Sequence, residues 1–122
     1  MKALKTISLV LTIIVATTGC YYDVEEELYP SIECQTMEMS YANDILPIIE
    51  SNCYGCHNTV AKFGNIILEG YSQLLKHVDD GSLLSVIRHS AGFSPMPKNG
   101  AKLLECEIEK IEAWVADGAL NN

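Results

Sequence analysis

Cys53-Tyr54-Gly55-Cys56-His57 is the stretch whose residue types and spacing carry the most specific chemistry in the chain. Two thiols two residues apart, followed at once by an imidazole, meet the requirement for covalent attachment of a c-type haem. The two sulfurs, on one turn of chain, add to the two vinyl groups on one edge of the porphyrin, and His57 then comes beneath the iron as proximal ligand. A Cys-x-x-Cys pair alone would serve a zinc site or a dithiol redox centre equally well. Structural zinc needs a second pair of ligands nearby, whereas His77, His89 and Cys106 stand alone and far apart. A dithiol centre of the thioredoxin kind follows a buried strand, whereas the residues before Cys53 carry helical spacing.

An iron held by one imidazole leaves a sixth position, and its occupant decides the function. Met96 is the leading candidate. It lies in Phe93-Ser94-Pro95-Met96-Pro97, where prolines on both sides fix φ and remove two backbone donors, so that a stiff loop can present the thioether. His89 competes for the position, since paired imidazoles also ligate haem. His77 is expected at the surface, and Met37 and Met39 in a tether. A neutral thioether raises the reduction potential relative to imidazole. With both axial positions filled, the expected chemistry is one-electron transfer through the haem edge near Cys53 and Cys56. The alternative is a haem-based sensor in which Met96 dissociates and a small ligand enters.

The elements that must position these residues are helical. Ile45, Ile48, Ile49 and Asn52 recur at helical spacing, with Ser40 or Asn43 as N-cap and Pro47 near the first turn. That helix delivers Cys53. Residues 58–70 read as a loop passing under the haem. Tyr71, Leu74, Leu75 and Val78 suit a short amphipathic helix, and Asp80 or Ser82 starts another carrying Leu83, Leu84, Val86 and Ile87. A loop marked by Gly92, Pro95, Pro97 and Gly100 follows. The last helix, 104–116, sets Leu104, Ile108, Ile111 and Val115 in one stripe beside Trp114 and ends at Gly118. Leu68, Tyr71, Leu74, Leu83, Ile87, Phe93 and Trp114 are the expected haem wall.

The 122 residues allow one domain, and their first 19 have the layout of a secretory signal: Lys2 and Lys5, an apolar run from Ile7 to Ala16, then small residues up to Cys20. Ala16-Thr17-Thr18-Gly19-Cys20 resembles a bacterial lipobox, with Thr17 where Leu is commonest, so Cys20 is the expected lipidation site. Acyl chains there contribute about 0.8 kcal/mol per buried CH₂ and would tether the protein to a membrane without spanning it. Residues 20–40 are acidic and carry no base, as a solvated tether would. Of five cysteines, Cys34 and Cys106 remain. In an oxidising cell envelope they are most simply a disulfide, with two free thiols as the alternative. Removing the first 19 residues leaves six bases against sixteen acids, a balance of −10. Such a surface does not suit nucleic acid; it fits docking to a basic patch on a redox partner, or solubility alone.

Tyr41-Ala42-Asn43-Asp44-Ile45-Leu46-Pro47-Ile48, the attachment motif, Gly92-Phe93-Ser94-Pro95-Met96-Pro97 and residues 104–118 together resemble a class I monohaem cytochrome c, and more closely the small lipoprotein cytochromes of Bacteroidetes-type bacteria. The likeness covers most of residues 41–122. It implies an all-α, cytochrome c-like fold of about four short helices around one covalent haem, with the first and last helices crossing beside it. It implies His57 and Met96 as axial ligands and a Cys34–Cys106 bridge. It also implies redox partner proteins in the cell envelope, on the periplasmic side or cell surface. Leu104 departs from the family pattern, which has a small capping residue there. With so small a core, the apo-protein is expected to be largely unfolded.

Overall fold

The computed structural model describes residues 34–122. The expected signal segment, the expected lipidation site Cys20 and the expected tether up to residue 33 lie outside the described residues. Among those residues the chain is helical and contains no strand. A single π-helical turn, Tyr41–Ile45, leads into α1 (Leu46–Asn52), followed by α2 (Tyr54–His57), a 3₁₀ turn (Phe63–Asn65), α3 (Tyr71–Asp79), α4 (Ser82–Ile87) and α5 (Glu105–Ala116). None of these helices is long and apolar enough to cross a membrane.

Each boundary has a local cause. Ser40 caps the first turn: its Oγ accepts the Asn43 N–H, and Asp44 Oδ2 accepts the Ser40 N–H at 3.0 Å. Pro47 falls at the start of α1, where no intrahelical donor is lost. Gly81, at φ 73°, turns the chain from α3 into α4, and Asp80 Oδ1 accepts the N–H of Ser82 at 2.8 Å. At the start of α5, Glu107 reaches back to the Leu104 N–H at 3.0 Å, so the carboxylate three residues on does the work of the missing small cap. The end of α5 is a Schellman turn: Gly118 sits at φ 93°, its N–H bonds Val115 O, and the Ala119 N–H bonds Trp114 O at 2.8 Å.

The core lies where the N-terminal turn and α1 meet α5, with α3 and α4 closing it. Ile45, Ile49, Leu74, Ile87, Ile108 and Ile111 are fully buried, together with Trp114. Tyr41 packs on Tyr71 (ring centroids 5.1 Å apart) and on Trp114 (5.8 Å). The C-terminal residues clasp the start of the unit: Asn122 O accepts from the Ala42 N–H and Ser40 Oγ–H, and Asn122 Oδ1 from the Tyr41 N–H at 2.8 Å.

Three expectations change at residue level. Met39 is buried in the core rather than part of a solvated tether. Leu104 is 72% exposed and leaves the α5 stripe, its place in the core taken by Leu103 at 6%. Phe93, expected on the haem wall, is 47% exposed. Cys34 and Cys106 are joined by a disulfide with Cα atoms 5.5 Å apart, which ties the segment before the first turn to the first turn of α5.

Candidate functional site

Cys53 breaks the helix between α1 and α2, at φ −120° and ψ −35°, and its carbonyl then accepts the N–H of Cys56 (3.1 Å) and of His57 (2.9 Å). Both thiols and the imidazole are thereby displayed on one tight turn. The His57 carbonyl accepts the Leu68 N–H at 2.8 Å, which draws the following loop back beneath the turn. The Asn58 side chain closes α2 by donating to Tyr54 O at 2.7 Å.

Cys53, Cys56 and His57 lie on the wall of a cavity of about 460 Å³. Phe63, Ile66 and Leu68 supply one flank, Leu83, Val86 and Ile87 of α4 another, and Met96, Pro97 and Leu103 come from the long loop before α5. Its polar side chains are few: Asn52, His77, Ser82 and Lys98 beside the attachment residues. Met96 thus shares one apolar space with a motif that lies far from it in sequence. Its peptide is held at both ends, with its N–H on Val86 O at 3.0 Å and its carbonyl on His89 Nε2, also at 3.0 Å.

The remaining expected site residues separate clearly. His89 does not line the cavity; its ring is spent on the Met96 carbonyl. Leu68, Leu83 and Ile87 are wall residues as expected, whereas Tyr71, Leu74 and Trp114 belong to the core behind the wall. His77, expected at the surface, lines the cavity. Its position three residues after the fully buried Leu74 was the signal for this, because that spacing puts both on one helical face. Leu103 carried no comparable sequence mark.

The donor set suits a covalent haem. Two thiols stand ready for thioether bonds, a thioether shares the cavity, and His57 Nδ1 is buried with no hydrogen-bond partner among the described residues. A buried imidazole nitrogen left uncommitted costs free energy unless something else engages the ring. The alternatives fit less well. Among the described residues no three His, Cys, Asp or Glu side chains converge as a metal-binding group, and tetrahedral zinc needs four ligands. Burial, with smaller effects from Cys56 and Glu107, pushes the Cys53 thiol up to about 11, whereas a dithiol redox centre works through a lowered thiol pKa. No family model, curated protein or solved structure matches the chain.

Proposed function

We propose that the chain is a one-electron carrier built around a single covalent haem c, with Cys53 and Cys56 as attachment points and His57 and Met96 as axial ligands. The observation that carries this reading is the arrival of Met96 in the same apolar cavity as the Cys53–His57 turn. When bound, the haem supplies an iron that passes between ferrous and ferric states. The protein's own part is to hold, shield and tune. Cys53 and Cys56 fix position through the backbone turn on which they sit. Ile66, Leu68, Leu83 and Ile87 keep water from the site, and an apolar wall together with a neutral thioether disfavours the higher-charge state. Val86 and His89 keep the Met96 peptide in place, where its thioether would be held ready as the second ligand to the iron and would leave no room for substrate. Cys56 is exposed, which leaves this edge of the site as the route for electrons to a partner.

The setting belongs to the same proposal: a bacterial cell envelope, a lipid anchor on Cys20, and redox proteins there as partners. Optical spectra of both oxidation states, with and without carbon monoxide, test the ligation. A sulfur-to-iron charge-transfer band that Met96→Ala abolishes, and indifference of the unsubstituted protein to carbon monoxide, are expected. Ready carbon monoxide binding by the unsubstituted protein would instead favour a sensor in which Met96 leaves the metal.

A further inference from the structure

Of the three histidines, His57 and His89 have roles above, and His77 has none. Its side chain is 20% exposed and lies on the cavity wall. Nδ1 stands 3.2 Å from Ser82 Oγ, at the start of α4, and 3.8 Å from Asp80 Oδ2. Asp80 accepts the Ser82 N–H, and this bond, with a lesser effect from His77, holds its carboxyl below the usual range. Asp80 is therefore a carboxylate wherever an imidazole titrates. The result is an imidazole beside a carboxylate, at the edge of a space whose wall is otherwise largely apolar. Charges interact more strongly across such a region than through water.

We propose that His77 is a proton-binding site linked to the oxidation state of the metal held between His57 and Met96. The inference rests on the haem reading of the cavity. Oxidation adds one positive charge to the metal, so protonated His77 is favoured in the reduced state. On reduction His77 takes up a fraction of one proton from solvent as the donor's electron arrives, and on oxidation it gives that fraction back. By reciprocity, the factor by which reduction tightens proton binding is the factor by which protonation favours reduction.

The other charged groups around His77 do not mimic this. Lys76, on its own helix, donates to Gln73; Asp79 is exposed, and hydrogen bonding from Ser82 holds the Asp80 carboxyl below the usual range. Ser82 is neutral. Across the cavity lie Lys98 and the attachment turn, where Cys53 and Cys56 would be thioethers once attached and His57 would be held by the metal. His89 is the remaining titratable ring, and it lies off the cavity wall.

The test uses the haem-loaded protein. His77 is followed by NMR against pH in both oxidation states, and the midpoint potential is measured over the same range for the unsubstituted protein, His77→Gln and His89→Gln. Proton binding by His77 roughly three- to tenfold tighter in the reduced state is expected. The potential should then fall as pH rises through the His77 titration, keep that fall in His89→Gln and lose it in His77→Gln. Equal titration midpoints in the two oxidation states, or an unchanged fall in His77→Gln, would overturn the linkage while leaving the haem reading intact. Failure of the haem reading is seen separately, as an intact mass without the macrocycle.

Discussion

Met96 reaches the cavity because its peptide is pinned on both sides, by Val86 O and by the His89 ring. His89 therefore acts through Met96 as a positioning residue. Replacing His89 by Ala removes one partly solvated hydrogen bond, a change of about 0.5–1.5 kcal/mol in how firmly the thioether is presented. The sulfur-to-iron charge-transfer band should weaken in His89→Ala and less in His89→Gln, whose amide can still donate to the Met96 carbonyl. An equal band in all three proteins would remove His89 from this role. The Cys53–His57 turn stood out in sequence as a candidate site because its residues are contiguous and need no tertiary information to be noticed. Met96 stood out for a related reason, its two flanking prolines, and it does line the same cavity. The places of His77 and His89 did not, because which way a lone imidazole turns depends on packing between segments far apart in the chain.

At the scale of elements, α4 and α5 are held together by Arg88 as well as by Ile87, Ile108 and Ile111. The guanidinium donates to Glu112 through Nε (2.6 Å) and Nη2 (2.5 Å), and to Glu105. The hydrogen bond from Arg88 is the main reason the Glu112 carboxyl lies below its ordinary 4.5. A carboxyl with a lowered folded-state pKa contributes stability above its unfolded value, and that contribution is lost as pH falls through the folded one. The thermal midpoint should thus decline from about pH 5 downward. In Glu112→Gln the stability should start slightly lower, by about 0.2–1 kcal/mol, and the midpoint should decline less steeply. Some decline persists, because Asp80 and Glu69 are lowered by hydrogen bonds from Ser82 and Thr59 and lose stability in the same direction. An identical acid profile for both proteins would show the pair to be energetically idle. Helix type and order followed from the spacing of Ile, Leu and Val. The start of α5 did not follow, because Leu103 and Leu104 are alike in composition, and only the turn made by Glu107 decides which of them enters the core.

For the molecule as a whole, the cavity sets the balance of stability. The cleft of about 460 Å³ leaves Leu68, Leu83 and Ile87 lining an open apolar space that water enters, and such exposed apolar wall costs stability. Haem would remove that cost by covering the wall. A Cys53→Ala/Cys56→Ala protein, unable to retain haem covalently, should therefore lose most of its helical circular dichroism at 25 °C even with the Cys34–Cys106 bridge formed. A cooperative thermal transition equal to that of the unsubstituted protein would contradict this. Whether the haem is covalent is decided by intact mass spectrometry of the protein made in a host that attaches c-type haem. The mass should rise by one haem, with Cys53 and Cys56 no longer open to alkylation; an unmodified chain with both thiols alkylated would rule the cofactor out.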